Sequence, residues 1–236
     1  MFHWRNTIFP VVLLTLFFTF RPAWPGGDEQ RDNLLDLVGV LIAFTGQALR
    51  VAVIGYKYIV RGGKHQRVYA EDLVTSGFFA HARNPLYLGN ILVLMGLFVV
   101  HNSPWVYAIG VPFFLLGYVA IVAAEENFLR GKFGSAYDAY CGDVPRWIPR
   151  LGGLSQSLAG IPFNWRRVIL KEYGSTYAWL GGAIVLMVAD TLSYRSYGAR
   201  AQYLNTLWWC VGIISVLYVT ARWLKLSRRL RDPQPV

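Results

Sequence analysis

The segment Leu73-Val-Thr-Ser-Gly-Phe-Phe-Ala-His-Ala-Arg-Asn-Pro-Leu-Tyr-Leu-Gly-Asn90 carries a basic, polar run into an apolar one. Proline disfavours the α region for its predecessor and suits the first helical turn, so Asn84 is read as extended and a helix begins at Pro85. Apolar residues then continue from Leu86 to Val100 and, after His101-Asn-Ser-Pro104, from Trp105 to Ala124. A connection that short makes the two runs an antiparallel hairpin. Asn84 to Tyr87 are thereby predicted to lie beside Glu125 and Glu126, which follow the second run. Backbone N–H groups at the start of such a helix are unsatisfied and partly positive, and they suit a carboxylate or a phosphate.

Composition sets the environment of this hairpin. The chain has 236 residues, 55% hydrophobic and only 15% charged, against about 25% charged in soluble domains, and its mean hydropathy is +0.36. It reads as an all-α, polytopic membrane protein. The net charge of +10 comes from short basic segments between apolar runs, which is the positive-inside pattern, so anionic lipid headgroups and not nucleic acid are the expected partners. Cys141 and Cys210 lie in unlike environments, and no His or Cys cluster has metal-ligand spacing, so neither a disulfide nor a metal site is expected.

Outward from the hairpin, six spans are expected. Ile8 to Phe20 is a short first one, because the bulky, turn-rich Arg21-Pro-Ala-Trp-Pro-Gly-Gly that follows offers no signal-peptide cleavage site. Leu34 to Val60 is the second, the hairpin supplies two more, and Tyr177 to Ser193 and Leu204 to Leu224 complete the count. Basic residues between Arg61 and Arg83, and again Arg222, Lys225, Arg228, Arg229 and Arg231 in the tail, place both termini and the hairpin mouth in the cytoplasm. Leu129, Phe133, Tyr137 and Tyr140 recur at helical spacing in a polar stretch, so an interfacial helix is predicted there, and a more basic one over Trp165 to Tyr173. The chain divides into an N-terminal pair of spans (1–60), a core with the hairpin and its tail (61–150), and a C-terminal extension (151–236).

Two features point to chemistry. Glu125-Glu126 at the expected end of a helix opposes the helix dipole and calls for cations, with His81 and Arg83 at hand, or for an end pushed into water. Arg50 lies within a span, where a charge costs at least about 2.5 kcal/mol. It either faces protein or water at a functional position, or snorkels with Lys57 into the headgroups.

Together, Thr75-Ser-Gly77, Arg83-Asn-Pro-Leu-Tyr-Leu-Gly89, Glu125-Glu-Asn-Phe-Leu129, Phe133-Gly134, Tyr137, Tyr140 and Val144-Pro-Arg-Trp-Ile-Pro149 resemble the isoprenylcysteine carboxyl methyltransferase family and its phospholipid methyltransferase relatives. The resemblance covers about Val38 to Pro149. It implies S-adenosyl-L-methionine as cofactor at the cytoplasmic face and a membrane lipid or lipid-linked acceptor: an isoprenylcysteine carboxylate, a phospholipid amine or a lipid phosphate. By position it implies cofactor contacts from Lys64, Leu73, Val74, Phe79, Asn84, Pro85, Leu86, Tyr87 and Glu125, and catalytic roles for Arg83, Tyr87 and Glu126. An amine acceptor must lose a proton, which Glu126 or Tyr87 could assist.

Two departures are visible. Asn84 stands where the family usually has His, and Ile121 stands where the prenylcysteine enzymes carry a substrate-binding Arg. Arg50 is therefore taken as the cation for an anionic lipid group. Two other classes stay open, a reductase resembling the NADPH-dependent sterol reductases and a non-catalytic membrane protein that keeps a degenerate site.

Overall fold

The computed structural model describes residues 5–23, 28–56, 72–194, 197–227 and 229–230, and every regular element among them is helical. The helices are α1 (Arg5–Thr19), α2 (Glu29–Tyr56), α3 (Pro85–His101), α4 (Val111–Phe133), α5 (Ser135–Asp143), α6 (Leu154–Leu158), α7 (Trp165–Tyr194) and α8 (Tyr197–Leu226). A 3-10 turn over Gly77–Ala80 leads to α3, and a π-helical segment over Val106–Gly110 leads into α4. Gln30–Tyr56, Val106–Phe133, Trp165–Ser193 and Arg200–Leu226 are long and apolar enough to cross a membrane. Thr7–Thr19 and Pro85–His101 are apolar but shorter. The structure is thus that of a polytopic helical membrane protein, with four helices of spanning length and two shorter apolar ones among the described residues, where six spans were expected.

The centre of the bundle is the seam between α2 and α3. Glycine replaces side chain there: a Cβ at Gly46 would lie 2.5 Å from the Gly89 carbonyl oxygen, and one at Gly39 would lie 2.6 Å from that of Gly96. Contacts that short are excluded, so these positions admit only glycine and let the two backbones meet. Ala43, Leu97 and Val100 continue the seam and bury Trp179, Ala183 and Leu186 of α7. On the other side, Leu16 of α1 packs with Phe98, Val106 and Phe114.

The connections fix which ends share a membrane face. Ala23 and Asn102 exchange hydrogen bonds of 3.0 and 2.8 Å, which puts the end of α1 beside the end of α3. Asn102 adopts the left-handed conformation that closes α3, at φ 48°. At the opposite face the Asn164 N–H donates to the Gly55 carbonyl at 2.8 Å, so the start of α7 meets the end of α2. The hairpin mouth, with the start of α3, lies at that same face.

Two sequence expectations change here. The second apolar run does not stop at Ala124: α4 runs on to Phe133, because Phe128, Leu129 and Phe133 keep an apolar stripe and Gly131 is carried within the helix, which ends at Gly134 with φ 54°. The first interfacial helix is therefore split between the end of α4 and the short α5. Trp165 to Tyr173 is likewise no separate interfacial helix but the opening of α7, which continues without a break to Tyr194.

Candidate functional site

Because α4 passes straight through Glu125 and Glu126, neither carboxylate opposes a helix end. Both are nonetheless buried, at 7% and 3% exposure, so neither is simply solvated. Successive helical residues point about 100° apart, and the two acids accordingly meet different partners.

Glu125 faces α3. The Tyr87 hydroxyl donates to its Oε1 at 2.5 Å, and Tyr87 is itself buried against Tyr118, Ile121 and Val122, with Phe9, Ile91, Leu94 and Trp147 around them. Ile121 thus belongs to an apolar wall beside this pair.

Glu126 faces the segment that follows α5. Arg146 closes on it through Nε, 3.0 Å from Oε2, and through a shorter contact from Nη2, while Arg83 Nη1 lies 3.4 Å from Oε1. Asn84 Nδ2 donates to Glu126 Oε1 and to the Arg146 carbonyl, both at 3.3 Å. Arg83 also donates to Cys141 Sγ at 2.8 Å. Its hydrogen bond to Glu126 raises the Arg146 guanidinium further above its ordinary range. Beneath the group lies Tyr137, whose phenol is pushed up first by burial and then by the nearby Glu126 carboxylate.

The tail from Val144 to Pro149 is tied across the mouth of the hairpin. The Arg83 N–H donates to the Pro145 carbonyl at 2.9 Å, the Arg150 N–H to the His81 carbonyl at 3.1 Å, and the Tyr140 hydroxyl to the Phe79 carbonyl at 2.7 Å. His81 Nδ1 lies 2.6 Å from the Arg150 carbonyl and Nε2 lies 2.8 Å from Ser157 Oγ. A carbonyl only accepts, so Nδ1 carries a proton, and His81 serves this strap and not the Glu pair. Turned toward Glu126, the Asn84 side chain caps nothing, and α3 begins at Pro85 without a side-chain N-cap.

The structure therefore brings Arg83, Asn84, Pro85, Tyr87, Glu125 and Glu126 to one end of the bundle. Leu73 and Val74 are half-buried, and Val74 packs against the core cluster of Val53, Phe79 and Leu86. Phe79 and Leu86 are core residues, packed with Val53, Ile54, Phe78 and Val168, and Phe79 is 1% exposed. Lys64 lies outside the described residues.

Arg50 is placed elsewhere. Its Nε and Nη2 donate to Glu172 at 2.8 and 2.6 Å, and Nη1 donates to Asn90. Gln47 donates to Glu172 at 2.9 Å and accepts from Trp179 Nε1 at 3.1 Å. Arg50 thus stands in an ion-paired network between α2, α3 and α7, where the sequence reading offered a lipid-binding cation or a snorkelling side chain. Sequence reasoning missed Glu172, and the signal for it was an acid in the opening turns of an apolar, aromatic helix. It also missed Arg146, which stood inside the quoted tail without a role. Among the described residues, no group of three or more His, Cys, Asp or Glu is placed to hold a metal ion.

The family comparison falls on this same region. Residues 36–136 match the family model described as phospholipid methyltransferase, which is the resemblance the motifs carried. The chain is 37% identical over 79 residues to the cobalt-zinc-cadmium resistance protein CzcN of Cupriavidus metallidurans, covering 34% of this chain and 36% of that one. It is 34% identical over 80 residues to the nickel-cobalt-cadmium resistance protein NccN of Alcaligenes xylosoxydans xylosoxydans, covering 34% and 37%. The chain thus spans little more than a third of the length of these curated relatives. No solved structure matches.

Proposed function

From a hairpin segment that matches the phospholipid methyltransferase family, we propose that this protein is an S-adenosylmethionine-dependent methyltransferase acting on a lipid or lipid-linked acceptor at the hairpin mouth. The observation that carries the reading is the buried Tyr87–Glu125 pair beside the uncapped start of α3. The donor set fits the methionine end of the cofactor. A carboxylate suits an ammonium, and a helix start lacking a side-chain cap suits a carboxylate. Leu73 and Val74 offer apolar surface for an adenine, and Phe79 supports them from the core. When bound, the cofactor supplies an electrophilic methyl on a sulfonium.

The protein's own part is to hold and to exclude. Tyr87 fixes the Glu125 carboxylate through its hydroxyl, and the wall of Tyr118, Ile121, Val122 and Trp147 keeps water from it. Glu126, bound by Arg83, Arg146 and Asn84, ties the tail onto the hairpin, and its contacts support anchoring and not proton transfer. Transfer in a water-poor site draws mainly on positioning. The basic residues at this end, Arg166 and Arg167 of α7 with Arg222 and Lys225 of α8, favour a cytoplasmic orientation.

The test is to incubate the purified protein with methyl-labelled S-adenosylmethionine and a total membrane lipid extract. Label in a lipid class, together with a higher melting temperature in S-adenosylhomocysteine but not in NADPH, is the expected result. Protection by NADPH alone would replace this reading with the reductase one.

A further inference from the structure

The C-terminal helical pair carries a second polar arrangement at the same end of the bundle. On α8, Tyr218, Arg222 and Lys225 fall on one stripe at helical spacing, and it faces Tyr173 and Tyr177 of α7. Tyr218 packs on Tyr177 with ring centroids 4.5 Å apart and on Tyr173 at 5.4 Å. Lys225 Nζ lies 5.1 Å over the Tyr173 ring, and Arg222 Nη1 donates to the Tyr218 hydroxyl at 3.3 Å. One turn on, Arg229 lies over Trp223 at 4.7 Å.

We propose that this tyrosine-held pair of cations, Arg222 and Lys225, binds the headgroup phosphate of an anionic glycerophospholipid. The positive-inside rule asks only for charge near a membrane end and not for its placement. Here the two cations are set by an aromatic ladder, which lowers the ordering cost of gripping a phosphate. Tyr218 accepts from Arg222 and keeps its own hydroxyl hydrogen as a third donor.

Charge complementarity is one-sided. From 197 to 230 the chain has no Asp or Glu, and the only acid in the opening turns of α7 is Glu172, which is buried and bound to Arg50. Exposed Trp165 and Trp223, at 65% and 51%, mark the level of the headgroups. α8 packs along α7 and shows most of its remaining surface, so a lipid has access to the stripe from the bilayer. The site lies beyond the family-matched residues 36–136 and is independent of the methyltransferase reading.

The experiment is a melting series on the delipidated, detergent-solubilised full chain with dioleoylphosphatidylglycerol, dioleoylphosphatidylcholine or inorganic phosphate. Phosphatidylglycerol is expected to raise the melting temperature by several degrees, with little response to the other two. Arg222→Gln/Lys225→Gln is expected to abolish the shift, while Arg130→Gln, an exposed arginine paired with Asp138 elsewhere, retains it. Tyr218→Phe keeps the ring stack and removes one hydroxyl, so it reports even where the double variant does not fold; its apparent phosphatidylglycerol affinity should fall about 10-fold with loss of one charge-assisted bond. Equal protection by phosphatidylcholine, protection by inorganic phosphate at the same concentration, or an undiminished response in Tyr218→Phe would overturn the proposal.

Discussion

Two buried carboxylates of this protein, Glu172 and Glu125, are treated in opposite ways. Glu172 sits between α2, α3 and α7 with Arg50, Gln47 and Ser175 donating to it, and Arg50 in turn donates to Asn90. Glu125 sits at the bundle end with a neutral hydroxyl on one oxygen and an apolar wall beside it. A charge matched by a guanidinium, an amide and a hydroxyl locks helices together. On the proposed function, the carboxylate that Tyr87 orients at the bundle end is the one that meets the cofactor ammonium. Glu126, one residue from Glu125, belongs to the first kind, because its two arginines and Asn84 tie segments of one chain.

The sharpest way to break this comparison is at Glu172. Removing one partner of a buried ion pair leaves the other uncompensated, at a cost of about 3 kcal/mol. Glu172→Leu should therefore lower the melting temperature by about 6–12 °C for a chain of this size. Arg50→Met combined with Glu172→Leu should recover most of that loss, since apolar side chains of similar volume replace such pairs at little cost. A double variant that regains stability and still binds S-adenosylhomocysteine makes the pair a lock. Recovery of stability with selective loss of lipid methylation would return Arg50 to the acceptor.

Glu126 should give a smaller effect. Glu126→Gln keeps the shape but removes charge-assisted bonds worth about 1.5–3 kcal/mol. Arg146 is 41% exposed on its side chain and is partly screened, which favours the lower end. The strap from Val144 to Pro149 should loosen, giving faster hydrogen exchange at the Arg83 and Arg150 amides that it protects. Unchanged exchange at both amides would show that the backbone bonds alone hold it.

What was legible in the sequence follows from how local each signal is. Pro85 and the short connection after His101 fixed the start of α3, the turn of the hairpin and the meeting of Tyr87 with Glu125, because these need only helix length and chain direction. The end of α4 was misread, since charge begins at Glu125 while the helix persists until a glycine stops it at 134. Arg50 and Glu172 are 122 positions apart and on helices whose facing depends on the Gly46–Gly89 contact, so no local pattern joins them. Phe79 suits a wall of the site by its place in the motif, and its ring packs in the core with Val53 and Val168. Side-chain direction and the ends of helices, more than their order, were the missing knowledge.

Glu125 should show the smallest effect on stability and the largest on binding. In Glu125→Gln the amide oxygen still accepts from the Tyr87 hydroxyl, and a buried charge disappears, so the melting temperature should change by about 2 °C or less, in either direction. If the carboxylate holds the cofactor ammonium, S-adenosylhomocysteine affinity should fall about 10- to 100-fold, the equivalent of one charge-assisted bond. Tyr87→Phe removes the hydroxyl that orients Glu125 and should weaken binding less, by about 5-fold, because the charge remains. Isothermal titration of wild type and both variants decides the matter. A Glu125→Gln protein that melts much lower and binds S-adenosylhomocysteine as wild type does would place Glu125 with Glu172 as a lock, and the contrast between the two carboxylates would fail.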